Sequence, residues 1–258
     1  MEQNFAFTVN LLGILLPFFG TALGAAAVLF LRRNPGRAAS GLLMGFAAGV
    51  MTAASVWSLL LPAVEAAADM ALPWLPAVVG FLLGAAVLLF CDLLLRRAER
   101  RAARLAPGSG KMLIFAVTLH NIPEGMAVGV ALAGAAVDPS TSLGALALAF
   151  GIAVQNIPEG AIISLPCAAT GKGKGRAFFY GVLSGAVEPA ATILTLLLSG
   201  IITPLLPWFL SFAAGAMIYV VVHELIPESH PREENNALAT IGAILGFSVM
   251  MLLDIALG

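Results

Sequence analysis

The stretches His120-Asn121-Ile122-Pro123-Glu124-Gly125 and Gln155-Asn156-Ile157-Pro158-Glu159-Gly160 are one hexapeptide written twice, with His exchanged for Gln. Each lies inside a long apolar run that otherwise reads as a membrane span. A carboxylic acid at the bilayer centre costs roughly 2.5–3.5 kcal/mol on insertion scales. The neighbouring amide and proline are also unwelcome there. A cost incurred twice in the same pattern points to two halves of one metal site.

Composition sets the class around these motifs. The chain is 60% hydrophobic and only 10% charged, with a mean hydropathy of +0.99. A soluble domain carries about 25% charged residues, so this is an all-α integral membrane protein. A barrel would show short alternating segments, whereas these runs are long and continuous. They predict eight transmembrane helices, over about 8–31, 40–64, 74–95, 112–134, 143–168, 177–200, 207–229 and 237–257. Together they form a single transmembrane domain over residues 1–258, with the metal site in the bundle centre. Met1 to Val9 contains no Lys or Arg and so lacks the charged start of a signal peptide. Cys91 and Cys167 fall within or at the end of spans and suggest neither a disulfide framework nor a zinc finger. Nothing resembles a nucleic-acid module, and Gly171-Lys172-Gly173-Lys174-Gly175 lacks the spacing of a phosphate loop.

All 13 basic residues fall into alternate loops. Arg32, Arg33 and Arg37 follow the first span, and Arg96, Arg97, Arg100, Arg101, Arg104 and Lys111 lie between the third and fourth. Lys172, Lys174 and Arg176 join the fifth and sixth, and Arg232 joins the last two. The positive-inside rule makes those loops cytoplasmic and both termini extracytoplasmic. The segment from Ala98 to Gly110 reads as a short Arg-rich connector that fixes topology. The outer loops hold Glu65, Asp69 and Asp138. Glu65 and Asp69, four apart on one face of a helix end, either gather cations at an entrance or are simply solvated there.

Within a helix, positions i and i+4 share a face. His120 with Glu124 and Gln155 with Glu159 are such pairs, and Asn121 and Asn156 sit beside them at i+3 spacing. Pro123 and Pro158 free a carbonyl one turn earlier and kink their helices, while Gly125 and Gly160 permit close helix approach. Glu124, Glu159 and Glu188 lie about 12–13 residues from Lys111, Lys172 and Arg176, roughly 18–20 Å at 1.5 Å per residue. Three acids at one mid-membrane depth repel each other unless protonated or bridged by cations. The donors are imidazole, carboxylate and amide with no thiolate, which favours Zn²⁺ and nearby ions such as Cd²⁺, Fe²⁺, Mn²⁺ or Co²⁺ over Cu⁺. Three ionised glutamates accommodate one or two such ions. The ion is cargo, and no cofactor is implied.

A second polar cluster, His223-Glu224-Leu225-Ile226-Pro227-Glu228-Ser229-His230, descends the seventh span toward the cytoplasmic end. It resembles the H-E-x-x-H zinc motif, but Pro227 stands where the second His belongs. The cluster reads either as an exit path or as a solvated helix end. On the second span Met51, Ser55, Ser58 and Pro62 line a path above the site or merely pack. Asp92 and Asp254 read as structural residues near span ends, and Cys167 as inert.

The paired hexapeptides and the His223-Glu224-Leu225-Ile226-Pro227-Glu228 motif resemble the ZIP (Zrt/Irt-like) metal transporters. Gln155 in place of a second His is similar to the GufA-type bacterial branch. The resemblance covers the whole chain and implies a multi-pass protein of the bacterial cell membrane carrying divalent metal into the cytoplasm. It implies a primary site of His120, Glu124, Gln155 and Glu159, and a second site completed by Asn121, Asn156 and Glu188. It also implies metal-binding His223 and Glu224 on the cytoplasmic side, and Met51 and Ser58 near the pathway. A homodimer in the lipid bilayer and an elevator-like movement of a site-bearing helix bundle follow from the same resemblance. Many members carry His at Gln155, some carry Asp at Asn156, and many have a His-rich cytoplasmic loop that is missing here. The residues alone leave two rivals open: an intramembrane metalloenzyme, which the missing second chelating His disfavours, and a metal-gated sensor or channel.

Overall fold

A computed structural model describes residues 2–30, 36–105, 111–168, 173–230 and 237–257. Every regular element among them is helical. Helix α1 spans Glu2–Phe30, and α2 (Arg37–Ala54) runs through a π-helical turn, Ser55–Leu60, into α3 (Leu61–Ala66). Helices α4 (Trp74–Leu105), α5 (Lys111–Val137) and α6 (Ser142–Cys167) follow. A broken pair comes next, α7 (Lys174–Gly185) and α8 (Val187–Leu197), then the short α9 (Ser199–Ile202). Helix α10 (Leu206–Val220) passes through a second π-helical turn, Val221–Leu225, into α11 (Ile226–Ser229), and α12 covers Ala237–Leu257. Among the described residues, 7 continuous helical runs are long and apolar enough to cross a membrane, and Asn121–Val137 within α5 is a shorter apolar helix.

These elements follow the apolar runs, with differences that have local causes. Helix α4 continues to Leu105, through much of the stretch that reads as a connector. Arg, Ala, Leu and Glu are among the best helix formers, and nothing interrupts them before Pro107. The two π-helical turns each precede a proline, Pro62 and Pro227. A proline ring collides with the carbonyl four residues earlier, here that of Ser58 and of His223. Widening the preceding turn relieves that collision without ending the helix. The break between α7 and α8 has the same origin, since Pro189 has no N–H for the carbonyl of Gly185.

The helices pack as two groups. Helix α1 lies against α6 and α7, and α5 against α8; α2 lies against α12, and α4 against α10. Glycines let the backbones touch along these seams. A Cβ on Gly20 or Gly24 of α1 would strike the carbonyls of Ala153 or Ile157 on α6, and one on Gly160 would strike that of Thr21. Gly45 and Gly49 do the same for α2 against α12, and Gly84 with Gly215 for α4 against α10. Without a hydrophobic drive inside lipid, such close van der Waals packing is what holds membrane helices together. Helix α6 occupies the middle, with 76% of its apolar window buried against 22% for α4 at the periphery. Outward-facing Leu82, Phe90, Leu197 and Ile255 are exposed, as suits side chains solvated by lipid.

Candidate metal site

Both hexapeptides sit on continuous helices, α5 and α6, that run through Pro123 and Pro158. Asn121, Glu124, Gln155 and Asn156 are fully buried, while Glu159 is partly buried. The Gln155 side chain joins the two motifs directly. Its Nε2 donates to Glu124 Oε1 at 2.8 Å and to Asn156 Oδ1 at 2.5 Å. From there Asn156 Nδ2 donates to Glu188 Oε2 at 2.8 Å, and Asn121 Nδ2 to Glu188 Oε1 at 2.9 Å. One polar chain thus crosses α5, α6 and α8 in the middle of an apolar bundle.

Three acceptors in this network have no hydrogen-bond partner among the described residues: Asn121 Oδ1, Gln155 Oε1 and Glu159 Oε2. Each buried acceptor left unpaired costs about 1–3 kcal/mol. Glu159 also lies within Coulombic range of Glu124 and Glu188. Carboxylates gathered in this way, with oxygen lone pairs unspent, are what a divalent cation relieves. Among the described residues no three His, Cys, Asp or Glu side chains hold an ion by themselves. The unspent amide oxygens of Asn121 and Gln155 stand beside the carboxylates as further donors. His120 precedes Glu124 by one turn on α5, and its side chain lies outside the described residues.

Glu188 is arranged differently. It sits in the first turn of α8, where the helix dipole favours negative charge. Its oxygens accept from Asn121, Asn156 and, at 2.8 Å, from Thr21 Oγ1 of α1. Asn156 Nδ2 also reaches the carbonyl of Pro17, at 3.3 Å. Thr192 Oγ1 donates to the carbonyl of Gly125 at 2.9 Å and so ties α8 to α5. Thr21 escapes the sequence reading. Its only signal there is a hydroxyl one turn after Pro17, in a run that is otherwise apolar from Leu11 to Phe30.

The remaining residues expected along a pathway are scattered. Met51 is buried on α2. Ser58, in the first π-helical turn, donates to Asp254 Oδ1 at 2.5 Å. Asp254, which reads from sequence as a structural span-end residue, is buried against Ser58, and its Oδ2 has no partner among the described residues. Glu65 is exposed on α3. The expected shared helix face with Asp69 does not form, because α3 ends at Ala66 and a turn closed by Met70 N–H to the Ala67 carbonyl follows. Pro73 lies just beyond and disfavours helix in the residue before it. Asp138 caps the turn Pro139–Thr141, and hydrogen bonds from the Ser140 side chain and N–H hold its carboxyl below its ordinary range. Beyond α10, His223 and Glu228 are exposed and Glu224 is partly so. Glu159 nevertheless feels the charges of Glu224 and Glu228, which links the two polar clusters electrostatically.

The ZIP zinc transporter family model matches residues 101–254, the part holding both hexapeptides and the His223 cluster. Similar proteins include zinc transporter ZIP11 of Homo sapiens, 37% identical, with 96% of this chain and 97% of that one aligned. Zinc transporter GufA of Myxococcus xanthus is 37% identical over 96% of this chain and 99% of its own. Zinc transporter ZIPB of Bordetella bronchiseptica is 39% identical over 93% and 79%. By that match and those identities the chain belongs to the ZIP zinc transporter family.

Proposed function

We infer that this chain is a multi-pass cell-membrane transporter of divalent metal ions, zinc foremost. The observation that carries the reading is the set of buried oxygens on Asn121, Gln155 and Glu159 with no partner among the described residues, gathered on two proline-bearing helices in the apolar bundle. The relatives named above are each called zinc transporters, and that family membership sets aside the metalloenzyme.

In this reading Glu124, Gln155, Glu159 and His120 hold the ion, with Asn121 beside them. Glu188 already accepts three hydrogen bonds, from Thr21, Asn121 and Asn156, which supports a single ion at the centre with Glu188 as its electrostatic anchor. His223, Glu224 and Glu228 take the ion toward the cytoplasm, and Met51, Ser58, Glu65 and Asp69 mark the approach from outside. Eight spans, with α5 as the fourth, place both termini outside and the basic loops inside. The two helix groups, one carrying the hexapeptides and the other α2, α4, α10 and α12, suit an elevator that moves one group against the other. A homodimer in the lipid bilayer, and Cd²⁺, Fe²⁺, Mn²⁺ and Co²⁺ as lesser cargo, complete the proposal.

Zinc entry into proteoliposomes loaded with a fluorescent chelator tests this function. Entry that saturates with zinc and scales with protein is expected. Tight zinc binding without entry, in vesicles with verified insertion, would turn the protein into a sensor instead.

A further inference from the structure

The pair of potential ligands at the cytoplasmic end of α10 already holds a cation. His223 Nε2 and Asp92 Oδ2 lie 3.3 Å apart. Two donors bound to one zinc ion at about 2.0–2.1 Å, at tetrahedral to octahedral angles, stand about 2.9–3.4 Å apart. The guanidinium of Arg96 bridges the two. Its Nε meets Asp92 Oδ2 at 2.7 Å, and its Nη2 meets His223 Nε2 at 2.5 Å.

The chemistry of the bridge is one-sided. A guanidinium only donates, so His223 Nε2 must accept and its proton sits on Nδ1. That is the tautomer which presents Nε2 to a metal. Tyr219 keeps the pair in place: its hydroxyl reaches Asp92 Oδ2 at 3.4 Å, and its ring stacks on His223 with centroids 5.1 Å apart. Asp92 and His223 are thus held by Tyr219 as well as by Arg96. Arg96 itself is half exposed, on the turn of α4 after Asp92. Asp92 is only 14% exposed, so the pair outweighs a surface ion pair, yet the half-exposed guanidinium has water within reach of its long stem.

We propose that Arg96 is a tethered cation that competes with the transported ion for the Asp92–His223 pair. The proposal rests on the reading of His223 as a cytoplasmic-side ligand and adds to it Arg96, held between His223 and Asp92, as the resident competitor. An ion arriving from the centre displaces the guanidinium, which then takes the ligands back and drives the ion into the cytoplasm. Because Arg does not lose its proton in proteins, the competitor is always charged. The exit site is thereby kept weak, so cytoplasmic zinc does not linger there.

The test counts zinc equivalents bound by the purified full-length protein. Arg96→Gln is expected to bind one more ion than wild type, at least about 10-fold more tightly than any wild-type exit site, given that charge-assisted hydrogen bonds are removed. Adding His223→Ala should abolish that extra ion. Arg96→Met, which keeps the apolar stem, should reproduce the gain and guards against a folding defect in the first variant. The proposal is overturned if both Arg96 variants bind no more zinc than wild type, or if the extra ion survives His223→Ala. Glu159→Ala removes only the central equivalent, so failure of the central-site reading is seen separately.

Discussion

Glu159→Ala is expected to cut saturable zinc entry by more than about 100-fold without lowering the thermal stability of the detergent-solubilised protein. Even partners behind the ligands of a metal site are worth about 10–100-fold in affinity or activity, so a ligand is worth more. The stability half of the prediction comes from the hydrogen-bond pattern. Glu159 Oε2 is buried with no partner among the described residues. Removing an unpaired buried acceptor relieves its desolvation penalty instead of breaking a bond. Glu188→Ala should behave in the opposite way. It strands the Thr21 hydroxyl and the amides of Asn121 and Asn156, all buried, and should lower the melting temperature. Flux and melting temperature measured on both variants check the pair. A Glu159→Ala protein that melts early would mean that the carboxylate holds the bundle together.

Gly24→Val is expected to destabilise the fold by about 3 kcal/mol or more, beyond the usual cost of overpacking a core. A Cβ at Gly24 falls on the carbonyl of Ile157, between Asn156 and Pro158 in the second hexapeptide. The obstacle is backbone, so no rotamer change escapes it. The α1–α6 seam must open, which pulls Gln155 and Glu159 away from Glu124 and separates Thr21 from Glu188. Gly200→Ala is the control, since a Cβ there meets nothing within 4 Å. Melting temperature and zinc binding should fall together in the first variant and stay near wild type in the second.

The helical architecture was legible because each apolar run is long enough to need no partner strand and each is bounded by charge or proline. The twin hexapeptides also announced their own importance, since polar groups at that depth are costly. Three features were less visible. The π-helical turns before Pro62 and Pro227 had a signal, the proline, but its effect depends on whether the helix breaks or widens. The shared face of Glu65 and Asp69 failed because i, i+4 spacing carries meaning only while the helix lasts. The contacts of Thr21, Asp254 and Arg96 were not legible for a common reason: their partners, Glu188, Ser58 and His223, are remote in sequence. Periodicity ranks residues along one helix but does not say which helix lies opposite.

The most direct test of the central claim is zinc X-ray absorption on the zinc-loaded protein, wild type beside Glu159→Ala. The account predicts a first shell of nitrogen and oxygen at about 2.0–2.1 Å with imidazole scattering, and its loss in the variant. A sulfur shell at about 2.3 Å, drawing on Cys91 or Cys167, or a spectrum that Glu159→Ala leaves unchanged, would put the metal elsewhere.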